Sequence, residues 1–149
     1  MYKRILVPVD GSGTSLKGLN EAIALAQATG AELKLVHIVN EFLDDYAIAP
    51  SVNYERIFDS LRDAGQKTLS GANAHAREKG VVTECELNET IGARASNVIL
   101  EAAKNWHADL IVMGTHGRRG WRRLALGSDA EMVLRSAPVP VLMVRAAEA

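Results

Sequence analysis

Apolar, β-branched runs alternate along this chain with stretches of helical periodicity, the signature of parallel βαβ units. The first run, Ile5-Leu6-Val7-Pro8-Val9, is almost unbroken in hydrophobicity, as expected of a strand covered on both faces. It stops at the turn cluster Asp10-Gly11-Ser12-Gly13. From Thr14 the period changes. Leu16, Leu19, Ile23 and Ala26 recur three or four apart and mark one helix face, which Thr29-Gly30 terminates. A second strand is predicted from Leu33 to Val39, and an irregular stretch with Asp44, Asp45 and Pro50 runs from Asn40 to Asn53.

A long helix should follow from Tyr54 to Lys79, with Ile57, Leu61, Ala64, Thr68 and Leu69 on its inner face. Gly65 and Gly71 each weaken it by about 1 kcal/mol relative to alanine. After Gly80, Val81 to Leu87 reads as a third strand, in which Cys85 alternates with Val81 and Thr83 as a buried core thiol. Ala95 to Trp106 is helical, with Val98, Ile99, Ala102 and Ala103 inward, and Leu110 to Met113 is a short buried strand. Ser128-Asp-Ala-Glu131 has the spacing of a capping box at the start of a last helix. Pro138-Val-Pro140 leads into a final strand, Val141 to Val144. Five strands with intervening helices predict one α/β domain over residues 1–149, a doubly wound parallel sheet. Its ligand belongs beyond the strand C-termini, where the strand order reverses.

Composition narrows the function. The 149 residues carry 48% hydrophobic and 23% charged side chains, as a globular domain does. Seventeen Lys and Arg balance 18 Asp and Glu for a net charge of -1, so no nucleic-acid footprint covers the surface. With Cys85 as the single cysteine, no intrachain disulfide forms. Met1 to Asp10 is too charged for a signal-peptide core and no stretch approaches a membrane span, so a cytoplasmic protein is expected.

Two glycine-rich loops compete for the chemistry. In Gly11-Ser-Gly13-Thr-Ser-Leu16, Leu16 stands where a dinucleotide fingerprint needs its third glycine. Leu19-Asn20 stands where a Walker loop following Gly13 and Gly18 needs Lys and Ser or Thr. These glycines read as a tight turn into a helix. The second loop, Gly114-Thr-His-Gly117 through Gly127-Ser128, is more demanding. Glycines let backbone amides approach an anion, and the loop delivers Gly127-Ser128 to a helix N-terminus that favours phosphate. Arg118, Arg119, Arg122 and Arg123 add positive charge. His116, inside the loop, is either a phosphate donor or simply a loop residue. Trp121 is the one aromatic beside the arginines, too few for base stacking, and Trp106 reads as a packing residue. His37, His75, His107 and His116 share no metal-ligand spacing with Cys85 or one another.

Gly114-x-x-Gly117, nine residues, then Gly127-Ser128 resembles the G-2x-G-9x-G-S/T motif of the ATP-binding universal stress proteins. The likeness extends to Lys3-Arg-Ile-Leu-Val-Pro-Val-Asp10, Leu35-Val-His37-Ile-Val, Ala108-Asp109-Leu-Ile-Val-Met-Gly114 and Pro138-Val-Pro140-Val-Leu-Met-Val144. The resemblance implies a Rossmann-like fold of the adenine nucleotide alpha hydrolase type, with strand order 3-2-1-4-5. It implies that Pro8, Val9 and Asp10 line the adenosine side and that Ile38 meets the adenine through its backbone. Met113 and Gly114 would approach the ribose, and Gly117, Arg118, Gly127, Ser128 and Asp129 would surround the phosphates. Asp129 brings a negative charge there, which bridging Mg2+ or Mn2+ offsets. The implied protein is a nucleotide-dependent regulatory sensor and a homodimer through Val139 to Val144. Two other readings are a slow ATP hydrolase or autophosphorylating enzyme on the same site, and a scaffold that binds no nucleotide.

Overall fold

The computed structural model describes residues 1–41, 54–116 and 126–145. Strands β1 (Arg4–Pro8), β2 (Glu32–Glu41), β3 (Thr83–Ile91), β4 (Leu110–Gly114) and β5 (Val141–Val144) form one sheet. Between them run helices α1 (Gly13–Thr29), α2 (Tyr54–Glu78), α3 (Ala95–Asn105) and α4 (Ser128–Ser136). The order is β3-β2-β1-β4-β5, all parallel, so the expected doubly wound topology is the observed one. Among the described residues no helix is long and apolar enough to cross a membrane.

The unbroken hydrophobicity of β1 follows from its central place. Ile5, Leu6 and Val7 have no solvent exposure at all. Ile5 and Val7 face α1 and α2, packing with Leu33, Leu35, Leu19, Ile23 and Leu69. Leu6 faces the opposite layer, with Val36, Ile111, Ile99, Ala103, Ala130 and Val133. Ser12 caps α1, its Oγ accepting from Ser15 N–H at 3.1 Å, and Gly30 ends it at φ 75°, donating to the Ala26 carbonyl.

Three expectations are corrected. The third strand begins later and runs further than Val81 to Leu87, because backbone pairing with β2 persists to Glu41 opposite Ile91. Val81 instead closes the α2–β3 connection, its N–H bonded to the Ala76 carbonyl. Cys85 is exposed, since β3 is an edge strand that its neighbours cover incompletely. The capping box does not form. Ser128 is already helical, Gly127 takes the cap position, and the Glu131 carboxylate pairs with Arg135 at 2.9 Å.

A polar cluster occupies the α3 side of the sheet, toward the strand N-termini. The Lys34 ammonium, almost buried, reaches Glu84 and Glu86 at 2.8 Å each. The Trp106 indole donates to Glu84 at 3.2 Å, and Arg4 and Lys34 lie 5.5 and 5.9 Å from its ring centre. Trp106 is thus a packing residue with a cationic lining. Burial pulls the Lys34 ammonium down, but the hydrogen bonds and charges of Glu84 and Glu86 outweigh it and leave the pKa raised. Lys34 in turn holds the Glu84 carboxyl below its ordinary value. The Glu84 contribution is therefore present above the ordinary carboxylate range and lost as pH falls through it, whereas that of Lys34 is lost only above the lysine range. Replacing Glu84 and Glu86 together by Gln leaves the ammonium without counter-charge. It should destabilise the fold by about 1–2 kcal/mol, a buried-pair loss discounted for the exposure of Glu84. Urea titrations at pH 7 and pH 4 check this: the deficit should narrow at pH 4, and an unchanged midpoint at pH 7 would show the cluster to be inert.

Candidate functional site

Parallel strands send every C-terminus to one end of the sheet, and the strand order reverses at β1, between β2 and β4. A cavity of about 480 Å³ lies there. Its sheet side is formed by Pro8, Val9, Asp10, Val36, His37, Ile38, Val39 and Gly114. Leu61, Ala64 and Thr68 of α2 wall one side. Ala95 and Ile99 of α3, with Gly127, Ser128, Asp129 and Ala130, wall another. Ser15, from the first turn of α1, also lines it. The first turns of three helices thus meet at one cavity, where free amides and helix dipoles favour an anion.

Local hydrogen bonds fix the walls. Val9 N–H donates to the Val36 carbonyl at 2.8 Å, and the Val9 carbonyl lies 2.8 Å from His37 Nδ1. Asp10 Oδ1 accepts from Ser12 N–H at 2.8 Å while Asp10 N–H donates to Ser15 Oγ at 3.1 Å, with Gly11 at φ 82°. This side-chain turn sets the carboxylate at the cavity edge. On the opposite wall, Asp129 Oδ1 accepts from Ser96 N–H at 3.0 Å. Arg94 gives α3 no side-chain cap, so an α4 carboxylate supplies one from outside. The phosphate-loop candidate closes through Gly127 N–H to the Thr115 carbonyl at 2.9 Å. His116 lines the cavity, its Nδ1 2.9 Å from Thr115 Oγ1, and its Nε2 is buried without a partner.

Of the residues expected at the site, Pro8, Val9, Asp10, Ile38, Gly114, Gly127, Ser128 and Asp129 all line this cavity. Met113 does not. Strand alternation turns its side chain into the core with Leu6, Ile99 and Val133, where it is 7% exposed. Gly117 and Arg118 lie outside the described residues, as do Arg119, Trp121, Arg122 and Arg123. Among the described residues no group of three or more His, Cys, Asp or Glu side chains is placed to hold a metal.

Sequence reasoning missed the α2 wall and His37. The wall was visible as Leu61, Ala64 and Thr68 on one helical stripe, but a cavity stripe and a core stripe share the same period. Gly65, read as a weak point, has a steric reason: a Cβ there would sit 2.6 Å from His37 Cδ2 and 2.9 Å from Leu87 Cδ1. Gly114 is likewise excluded from carrying a side chain by Thr14, whose Cγ2 and carbonyl carbon would lie 2.7 and 3.0 Å away. The α1–β4 contact, before any ligand, demands that glycine.

The fold and site together define a Rossmann-like α/β domain with an anion-favouring crevice at its switch point. The chain belongs to the universal stress protein family, whose sequence profile matches residues 1–145. Universal stress protein MJ0531 of Methanocaldococcus jannaschii is 38% identical over 146 residues, 97% of this chain and 83% of that one. A universal stress protein family structure from Burkholderia pseudomallei aligns with a TM-score of 0.81 at 34% identity, covering 97% of each chain. The Archaeoglobus fulgidus universal stress protein in complex with dAMP aligns at 0.69 and 25% identity, covering 96% of this chain and 98% of that one.

Two glycines in the same helix should respond oppositely to alanine. Gly71→Ala, with nothing within 4 Å of the added Cβ, should stabilise by up to about 1 kcal/mol. Gly65→Ala should destabilise by about 1–3 kcal/mol, because His37 is held by the Val9 carbonyl and cannot give way cheaply. Thermal unfolding of both variants checks this, and a stabilised Gly65→Ala would show the His37 wall to be compliant.

Proposed function

We propose that this chain is an ATP-binding regulatory protein of the stress response, a nucleotide-dependent sensor rather than a catalyst. The observation that carries the reading is the meeting of three helix first turns at one 480 Å³ cavity at the switch point. That volume lies within the usual range for small-molecule sites, roughly 300–1,000 Å³. The dAMP complex of the Archaeoglobus fulgidus relative supports an adenine nucleotide as the ligand class. Adenosine takes the side of Val9, Ile38 and Ala64, and the phosphates take that of Gly114, Gly127 and Ser128, with Gly117 and Arg118 completing the loop. The unpartnered Nε2 of His116, two residues from Gly114 in the cavity lining, supports this arrangement. Mg2+ or Mn2+ bridging the phosphates would offset Asp10 and Asp129.

Calorimetry with ATP tests the assignment. The wild-type chain should bind ATP, and Ala64→Phe, at an exposed helix position facing the cavity, should weaken it at least tenfold without lowering the thermal midpoint. Unchanged ATP affinity in the folded variant places the nucleotide elsewhere. The sensor reading also expects turnover slower than about 1 per second. Phosphate release at or above that rate favours the hydrolase.

The functional unit is a homodimer. Strand β5 is a sheet edge, and Leu142 on it is 38% exposed. An apolar edge of this kind pairs with its own copy across a two-fold axis. Pro138 and Pro140 donate no ladder bonds, so antiparallel pairing centres near Leu142. Light scattering should give twice the chain mass at micromolar concentration, and Leu142→Pro should abolish the dimer. A monomeric wild type, or a dimer indifferent to Leu142→Pro, overturns the assignment.

A further inference from the structure

His116 is held more firmly than a loop residue needs to be. Its neighbour Thr115 donates its N–H to the Val144 carbonyl at 3.0 Å and accepts Gly127 N–H at 2.9 Å. Thr115 is thereby locked to β5 on one side and to the start of α4 on the other, and only 4% of it is exposed. Its hydroxyl then pins His116 Nδ1 at 2.9 Å. The other ring nitrogen is buried and unpartnered among the described residues. A buried polar nitrogen left alone costs about 1–3 kcal/mol, so one retained in a cavity wall calls for an explanation.

The charges around it say what that is. Asp10 from the β1–α1 loop, Asp129 from α4 and His37 from β2 are the other titratable side chains lining the cavity among the described residues, and α2 and α3 contribute none. No Lys or Arg lines it among those residues. His37 Nδ1 is committed to the Val9 carbonyl, and one Asp129 oxygen to Ser96 N–H. Of the two imidazoles in the lining, only His116 has a ring nitrogen that is buried with no hydrogen-bond partner among the described residues. We propose that His116 is the pH-responsive ligand of the nucleotide's phosphate: Nε2–H donates to a phosphate oxygen, with Thr115 fixing ring and tautomer, so that affinity rises as the imidazole protonates. In the tautomer the proposal requires, the neutral ring accepts from Thr115 O–H at Nδ1 and carries its proton on Nε2, and the imidazolium donates from both nitrogens. Either state presents a donor to the anion. Only the second adds charge.

This rests on the nucleotide reading above, and the experiment separates the two. Calorimetry with ATP and with adenosine at pH 6 and pH 8 compares wild type, His116→Gln and His116→Asn. The Gln amide reaches the position of Nε2, and the Asn amide reproduces Nδ1 and its bond to Thr115. Gln should keep wild-type ATP affinity at pH 8 to within about threefold and lose the extra binding that wild type gains at pH 6. Asn should lose about tenfold or more at pH 6, the loss of a charge-assisted bond. Adenosine should bind all three alike. Titration of ATP itself is common to every protein and cancels in the comparison. A merely structural histidine predicts the reverse order, with Asn benign and Gln damaging, and that result overturns the proposal. Equal ATP affinities and pH profiles in all three overturn it while leaving nucleotide binding intact. A wild type that binds neither ATP nor adenosine overturns the nucleotide reading and this proposal with it.

Discussion

The rest of the structure depends on the burial of β1 on both faces and both edges. With Ile5, Leu6 and Val7 wholly excluded from water, the strand needs a partner on each side and a helical layer above and below. Parallel pairing with β2 and β4 meets the first need, and right-handed crossovers to opposite faces meet the second. Crossing to opposite faces from one central strand opens a gap at its C-terminal end. The cavity is that gap. Three of the helices at its rim, α1, α3 and α4, enter by their N-termini because each follows a strand, so the electrostatic preference for an anion is a consequence of chain direction.

Close approach then refines what topology only roughs out. A Cβ on Gly18 would come within 3.3 Å of Gly114 N, and one on Gly114 would strike Thr14. These two glycines seat the first turn of α1 against the end of β4. Gly65 does the same for α2 over His37. Each position removes a side chain from a helix or strand that would locally prefer one, and the cost in propensity is small beside the overpacking it avoids. The cavity keeps its shape because its walls are fixed at three such contacts.

How much of this was legible follows from where the information lies. The central strands were readable because burial on both faces writes itself into every residue, as in Ile5-Leu6-Val7. Gly114, Gly127 and Ser128, singled out by their spacing, all line the cavity, and Gly114 is required besides by its contact with Thr14. The edge strand β3 was not so readable, because its extent is set by pairing with β2 rather than by burial, and its last residue, Ile91, is apolar yet exposed. Cys85 was misjudged for the same reason: alternation marks a face, but only the neighbours decide whether that face is covered. The capping box failed because its local spacing was outbid by tertiary partners, with Gly127 bonded to Thr115 and Asp129 to Ser96. Met113, assigned to the ribose by resemblance, does not line the cavity, and its side chain lies on the β4 face that packs with Leu6, Ile99 and Val133.

Asp129 shows how a residue that opposes a site's chemistry can be part of its construction. By charge alone, a carboxylate in the first turn of α4 competes with any anion bound there. Yet α3 has no side-chain cap of its own, and its first turn opens on the same cavity. Asp129 Oδ1 takes the Ser96 amide at 3.0 Å and so satisfies one orphan donor of α3 while lying at the positive end of α4. Both helix dipoles act on that carboxylate, so its field at the cavity is partly cancelled by the groups that hold it. It also ties the two helix N-termini together, which fixes the spacing of the remaining amides that face the cavity. A neutral side chain without an acceptor would leave the Ser96 amide unsatisfied and loosen the wall. The acidic residue is tolerated at an anion-favouring site because its charge is already engaged in building that site.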